Sequence, residues 1–378
     1  MILKTAKFQE AANKILTAVS IDKAAANLEL AAKGTELYLR VTNREYYVAV
    51  KFELEEVSDF RAVVDANLFL NLVSGINTDE FSLVINDTNV ELKTGKSKYK
   101  LAMIYENDQL MKLPVIKLDP SEVQIAMSID YEILMSILNV NGKEIQKAKK
   151  LDVNELQRYY YLDETGCFTF TTGACVNRFT LEKPIKLLLT DRVVRLFKLF
   201  NSAAWMSYGN IVNKDMTLQP IATFQTEDIY VATRLLGDDT CIQRIKAPCD
   251  AMKSLVQETY DHNLVLSASD LSAAIARLLM FHKNSAAKVD LTFVPATINF
   301  DATDFVITDA SGENSESITI ENGSVASNYS MGINLIDLKS VLDSCKNEHI
   351  TLNCGNHKSV VINRGNISNV IAETKAKE

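Results

Sequence analysis

The side chains able to do covalent or metal chemistry are scattered along this chain in no reactive pattern. Six cysteines, Cys167, Cys175, Cys241, Cys249, Cys345 and Cys354, show no paired CxxC spacing. They read as buried reduced thiols rather than a metal site or a disulfide framework. The four histidines, His262, His282, His349 and His357, also lack ligand spacing. There is no glycine-rich phosphate loop, GxSxG elbow, HExxH pair or Walker lysine. The carboxylate pairs Glu55-Glu56 and Asp238-Asp239 read as loops without a nearby base. A carboxylate dyad assembled only by folding stays open as a reading. Trp205, the only tryptophan, reads as core or loop packing rather than a stacking platform. The expectation is a protein without catalytic residues, metal or cofactor.

Positive charge, by contrast, is clustered. Lys143, Lys147, Lys149 and Lys150 crowd one segment, and Arg192, Arg195 and Lys198 recur by threes on one predicted helix. The formal net charge of −8 argues against a nucleic-acid binder, whereas these clusters suit a locally basic face on an acidic protein. A solvated helix face is the competing reading of each cluster.

The elements that would carry these residues form a pattern that occurs three times. An amphipathic helix leads into two alternating strands joined by a tight turn, after Asp65 to Ile76, after Leu189 to Phe200 and after Ile333 to Leu342. The 378 residues divide into thirds of roughly 126, the size of an ordinary domain. Hydrophobic residues at 47% and charged residues at 23% fit a soluble globular protein. No apolar run approaches a membrane span, and the first residues lack a secretory pattern, so the expected location is the cytoplasm.

Along the chain, Phe8, Ala12, Ile15 and Val19 form one apolar stripe and predict a helix over 7–19. Strands are expected over 27–32 and 36–41, joined by a Lys33-Gly34 turn, and over 46–54. Asp65 should cap the second helix. Residues 106–109 and 114–120 read as a linker. In the second third, alternation over 123–129 predicts a strand, with Asp130 capping a helix through Leu138. Over 191–200, Val193, Leu196, Phe197 and Phe200 are the expected core face, with Arg192, Arg195 and Lys198 mostly opposite. The last third opens with an extra helix over 248–261. Ser269 or Asp270 then caps a helix whose stripe is Leu271, Ile275 and Leu278, and 353–357 makes the last hairpin turn. The fold class is α+β, each third carrying two helices backed by sheets.

Several segments together resemble the bacterial DNA polymerase III beta subunit, the sliding clamp. Val63-Val-Asp-Ala-Asn-Leu-Phe-Leu-Asn-Leu-Val, Phe81-Ser-Leu-Val-Ile and Val90-Glu-Leu-Lys-Thr-Gly-Lys-Ser-Lys-Tyr-Lys-Leu are similar to its first domain. So are Asn27-Leu-Glu-Leu and Leu37-Tyr-Leu-Arg-Val-Thr-Asn-Arg-Glu. Arg158-Tyr-Tyr, Asn177-Arg-Phe and Arg234-Leu-Leu-Gly resemble its second domain, and Asp270-Leu-Ser-Ala-Ala-Ile-Ala-Arg and Ile333-Asn-Leu-Ile-Asp-Leu its third. Each motif is weak alone; their order and spacing cover essentially the whole chain.

The resemblance implies three repeated DNA-clamp domains, 1–118, 119–247 and 248–378, in a head-to-tail homodimer closed into a ring around duplex DNA. Helices would line the hole and sheets the outer wall. A basic lining attracts DNA of any sequence, because the duplex carries one charge per roughly 1.7 Å of axis. The implied partners are DNA, a DNA polymerase and a clamp loader. By position, the DNA contacts would be Lys14, Lys143, Lys147, Arg192, Arg195, Lys198 and Arg277. Arg158, Tyr159 and Tyr160 would touch DNA at the ring face, the tyrosines stacking on bases or else packing in a strand. The dimer contact would set Tyr99 and Leu101 against Met280 and Phe281. The implied peptide cleft comprises Tyr161, Asn177, Arg178, Phe179, Thr240, Arg244, Ile245, Lys358, Val370, Ile371 and Ala372. Thr240 stands where the family has a proline, and Ala372-Glu-Thr-Lys replaces a Met-Pro-Met/Val-Arg ending. The expectation is a more polar cleft with altered peptide preference, as in a clamp adapted to the polymerase of a phage or other mobile replicon. An assembly protein that kept the fold without encircling DNA is the alternative.

Overall fold

The computed structural model describes residues 1–148, 155–170, 173–212, 216–236, 239–283, 293–345 and 348–375. Helices and antiparallel sheets build two compact units, Met1–Leu138 with Glu182–Gly237, and Asn139–Leu181 with Asp238–Glu378. The helices in chain order are α1 (Thr5–Ile21), α2 (Ala66–Ser74), α3 (Tyr131–Ser136), α4 (Gly142–Ala148), α5 (Asp191–Arg195), α6 (Asp239–Gln257), α7 (Ala268–Lys283) and α8 (Leu335–Leu342). The architecture is α+β.

In the first unit, six antiparallel strands run in the order Asn27–Thr42, Tyr46–Asp65, Ile229–Arg234, Leu218–Gln225, Ala204–Val212 and Val123–Ile129. A second sheet orders Ile2–Lys4, Glu80–Ile85, Asn89–Thr94 and Ser97–Ala102. The predicted stripe of α1 (Phe8, Ala12, Ile15, Val19) is buried. Phe8 meets Phe52, Phe69 and Phe81 edge-on at centroid distances of 5.2, 6.3 and 5.4 Å. Asp65 caps α2 as expected, accepting a 2.7 Å hydrogen bond from the Leu68 amide. Gln9 Nε2 then ties α1 to the end of α2 through the carbonyls of Val73 and Ile76, both at 2.9 Å.

Local predictions fail where tertiary pairing overrides them. The expected Lys33-Gly34 turn is a bulge within one strand, Asn27–Thr42, whose register slips between Gly34 and Glu36. Gly34 takes φ +65°, and the extra residue bends the strand without ending it. Asn107 and Asp108, also at positive φ, turn a two-rung hairpin, Tyr105–Glu106 with Gln109–Leu110, inside the expected linker. α5 is short and continues as a 3-10 turn, Leu196–Leu199. Thr190 caps it, and Val193, Leu196, Phe197 and Phe200 are buried as predicted. Trp205, expected in packing, is 54% exposed on a strand.

In the second unit, eight strands are ordered Tyr159–Asp163, Gly166–Phe170, Ala174–Arg178, Ile367–Ala372, Ser359–Arg364, His349–Cys354, His262–Ser267 and Asn322–Val325. A four-stranded sheet orders Ser315–Thr319, Asp304–Asp309, Pro295–Phe300 and Tyr329–Asn334. The stripe Leu271, Ile275 and Leu278 of α7 joins Leu338, Val341 and Leu342 of α8 in one core. Ser267, not Ser269 or Asp270, caps α7, its hydroxyl accepting from the Asp270 amide at 3.3 Å. The extra helix starts earlier than its proline suggested: α6 runs through Pro248. Residues 353–357 do turn a hairpin, but a further one follows into Ile367–Ala372.

Replacing Phe8 by Ala should destabilise the first unit by about 3–5 kcal/mol, because three rings lose their common neighbour. A urea titration of the full chain reads this as a lower midpoint, and an unchanged midpoint would show that the ring cluster is not the core.

Candidate functional site

The basic residues of the first unit are met by carboxylates. Lys14, on α1, is mostly buried and bonds Asp228 at 2.6 Å, with Glu10 at 3.6 Å. Burial pushes the Asp228 carboxyl up, but hydrogen bonds from Lys14 and Thr226 prevail and hold it below its usual range. Lys14 is thereby a brace between α1 and the six-stranded sheet, not the open cation the resemblance implied. Arg192 extends from α5 to Glu45 at 3.1 Å and Asp22 at 3.3 Å. The Glu45 hydrogen bond raises its already high pKa. Arg195 is half-buried one turn on, and Lys198 is exposed. α1, α3 and the 3-10 turn after α5 pack together, so these cations share one helical layer.

In the second unit, Lys143 and Arg158 are exposed, and the side chain of Lys147 lies outside the described residues. Tyr159 is half-buried, whereas Tyr160 is fully buried with its hydroxyl beside Gly142. Tyr160 therefore packs in its strand and is not a stacking platform. Arg277 forms a two-pronged pair with Glu316, at 2.7 and 2.6 Å, which ties α7 to the edge strand Ser315–Thr319. Such bidentate geometry holds the guanidinium in place.

The implied cleft residues separate by strand parity. Opposed residues of neighbouring strands share a face. Tyr161, Phe168 and Val176 lie on one face with Phe170, Ala174, Val370 and Val361. Asn177 and Ile371 alternate to the other face. Asn177 donates to Asn141 Oδ1 at 3.1 Å, and Asn141 in turn donates to Thr169 Oγ1 and the Cys167 carbonyl, both at 3.1 Å. Ile371 belongs to the core beneath α7 and α8. Neither is a cleft-wall side chain, contrary to the implied assignment. Phe179 is half-buried, Arg178 is exposed and reaches the Gly365 carbonyl at 3.2 Å, and Arg244, Lys358 and Ala372 are exposed. The side chain of Thr240 lies outside the described residues.

A cover lies over the first face. Met252, Leu255 and Val256 of α6, with Phe170 and Tyr260, pack against Ala174, Val361 and Val370. Lys253 bonds Asp163 at 2.6 Å and sits 4.6 Å from the Phe168 ring centroid. Ile245 and Cys249, also on α6, are buried. Burial pushes the Cys249 thiol up to about 12, so it stays protonated and unreactive at neutral pH. Among the described residues, no three His, Cys, Asp or Glu side chains gather as a metal site. None of the described helices is long and apolar enough to cross a membrane.

Of the implied dimer residues, Tyr99, Met280 and Phe281 are exposed, the last two at 59% and 56%. Leu101 is buried at 2% and belongs to the core of its own sheet, so it cannot present a side chain to a second molecule. Tyr99 stands on the edge strand Ser97–Ala102, where Lys98, Lys93 and Lys100 surround Glu91 at 2.9, 3.6 and 3.6 Å. The functional-site residues that sequence reasoning missed are the acids, Asp22, Glu45, Asp163, Asp228 and Glu316. Each lies far in sequence from its cation, and no local signal identifies it.

No protein-family model matches the chain, and no curated protein matches it. Solved structures do. The DNA polymerase III beta subunit of Pseudomonas aeruginosa is 14% identical with a TM-score of 0.75, covering 99% of both chains. That of Streptococcus pyogenes is 15% identical with a TM-score of 0.77 over 99% of both. The DNA polymerase sliding clamp of Bacillus subtilis is 12% identical with a TM-score of 0.75, over 100% of this chain and 99% of that one. From first strand to last, this chain has the fold of the DNA polymerase III beta sliding clamps.

Proposed function

We propose that this protein is a DNA sliding clamp, a non-catalytic processivity factor that encircles duplex DNA and tethers a replicative polymerase. The observation that carries this reading is near-complete coverage in both directions by sliding-clamp structures at TM-scores of 0.71–0.77. In this proposal the chain comprises three clamp domains, 1–118, 119–247 and 248–378, and two copies close a ring. The partners are duplex DNA, the polymerase and a loader, and the protein works in the cytoplasm.

Ring closure has physical support at two sheet edges. Ser97–Ala102 and Ser315–Thr319 each end a sheet, and an unpaired edge is a template for another strand. Tyr99, Met280 and Phe281 supply exposed apolar area of the kind an interface core uses. Light scattering at micromolar concentration should give the mass of two chains. Replacing Met280 and Phe281 by Glu should give one. A single-chain mass for the unaltered protein would remove the ring.

The DNA contact is weak by construction. With Lys14, Arg192 and Arg277 matched to carboxylates, the exposed cations Lys198 and Arg158, with half-buried Arg195, carry most of the attraction. Equilibrium DNA affinity should be low and fall steeply with salt. Replacing Arg195 and Lys198 by Glu should lower the salt slope by about 2 and reduce processive synthesis. Unchanged slope and processivity would remove this helix from the DNA path.

Those same ion pairs favour a second reading, an assembly protein that uses the fold for protein contacts alone. Retention on circular DNA separates the two. A clamp stays on a closed circle and leaves when the circle is cut, whereas an assembly protein shows no dependence on the cut.

A further inference from the structure

The apolar strip under α6 is built as a binding surface and already has an occupant. Ala174, Val370 and Val361 face each other across three adjacent strands, with Phe170 beside them. Onto this strip α6 lays Met252, Leu255 and Val256, spaced as positions i, i+3 and i+4 of one helix face. This is how an amphipathic helix fills a groove. The sheet strip and the helix belong to the same compact unit.

The helix has a weak point where a movable segment would need one. Pro248 lies inside α6; it has no amide hydrogen for the Arg244 carbonyl, and its ring crowds the preceding turn. The part before it is held by buried Ile245. The part after it is held by buried Cys249 next to the proline, and beyond that by partly buried side chains and a polar latch. In that latch Lys253 bonds Asp163 at 2.6 Å over the Phe168 ring, and Thr165 adds its amide and hydroxyl to the same carboxylate at 2.8 and 2.6 Å. Beyond the helix, His357 meets Glu258 at 2.5 Å and Asn356 Nδ2 meets the Thr259 carbonyl at 2.6 Å.

We propose that the C-terminal half of α6 is an internal occupant of the peptide cleft, displaced by a partner segment bearing both an i, i+3, i+4 apolar face and a cationic side chain. The cation follows from Asp163. Its side chain is 7% exposed, and a partner that covered it without replacing Lys253 would leave a buried carboxylate short of its counter-charge. The tethered occupant competes at an effective concentration on the order of millimolar, so weak apolar peptides are excluded. The cleft is selective through competition as well as through shape. The inference rests on the peptide-cleft reading of this face, but opening of α6 is measurable without DNA, polymerase or loader.

The test uses the full chain and a fluorescein-labelled synthetic peptide with the sequence of residues 250–260. Three proteins are compared: the unaltered chain, Leu255→Ala, and the pair Lys253→Met with Asp163→Asn, which removes both charges and leaves no carboxylate orphaned. In hydrogen exchange, amides of 249–257 should exchange about tenfold faster in the paired variant than in the unaltered chain, with the strands 349–354 and 359–364 unchanged. The peptide should bind Leu255→Ala about tenfold or more tightly than it binds the unaltered chain. A Lys→Met version of the peptide should lose that gain on Leu255→Ala and lose nothing further on the paired variant. Exchange of 249–257 at the rate of the underlying strands in all three proteins would overturn the proposal, as would equal peptide binding to Leu255→Ala and the unaltered chain. Loss of retention on circular DNA would instead count against the clamp reading alone.

Discussion

The two-residue period of the antiparallel ladder is the constraint on which the second unit depends. Side chains alternate faces along every strand, and residues opposed across the ladder share a face. Once Ala174 is set opposite Val370 and Val370 opposite Val361, the destiny of each neighbour is decided. Val370 goes beneath α6 and Ile371 into the core under α7 and α8. Asn177 joins the buried Asn141 network, while Tyr161 and Asp163 stay on the α6 side. A one-residue slip of the strand Ile367–Ala372 would exchange Val370 and Ile371, setting Ile371 under α6. The polar network helps hold Asn177 of the adjoining strand to the face opposite α6. Asn177 donates to Asn141 Oδ1 with its side chain on this face, and a buried amide turned away from its partner is costly.

Charge in this protein is arranged in pairs across long sequence distances. Lys14 with Asp228, Arg192 with Glu45 and Asp22, and Arg277 with Glu316 each join a helix to another element. Each pair has at least one partner open to solvent, so these contacts orient helices more than they stabilise the fold. Their larger effect is on the surface field. A helix-borne cation matched to a carboxylate attracts a phosphate less strongly, because the acid opposes it at short range. A protein that must hold DNA without gripping any position benefits from muted contacts, since a strong local contact would slow sliding. The pairing therefore suits weak sliding contacts, and it equally suits a protein that makes no DNA contact.

What was legible in the sequence is what local chemistry decides. The stripe Phe8, Ala12, Ile15 and Val19 and the Asp65 cap need no tertiary information, and both are in place. The core face of the 191–200 segment was equally readable, although the segment tightens to a 3-10 turn midway. Errors arise where one local signal has two physical outcomes. Glycine at positive φ serves a turn or a bulge, and at Gly34 the long partner strand Tyr46–Asp65 selects the bulge. Proline begins a helix or kinks one, and at Pro248 the burial of Ile245 upstream extends α6 backwards through it. Adjacent apolar residues such as Val370 and Ile371 are indistinguishable until register assigns their faces. The acid partners had no signal at all, because Asp228 and Glu316 meet Lys14 and Arg277 only after folding.

The cover supplied by α6 is also a solution to a folding problem. A sheet whose strands present Phe168, Phe170, Ala174, Val176, Val361 and Val370 on one face cannot leave that face to water without exposing a contiguous apolar patch. A partner peptide cannot provide the cover during folding, before any partner has arrived. A helix from the same chain can, at little entropic cost, because it is joined to the sheet through a short connection into His262–Ser267. The cover must then be weak enough to yield later. A proline inside α6 serves both requirements: buried Ile245 and Cys249 anchor the helix on either side of Pro248, while partial burial of Met252, Leu255 and Val256 limits the apolar stabilisation of its last turns. Binding by a partner is therefore an exchange of one apolar face for another, and its free energy is the difference between two similar contacts. A sheet face that is always covered can discriminate among partners only through what the cover lacks or what it leaves behind, and in this chain what it leaves behind is the carboxylate of Asp163.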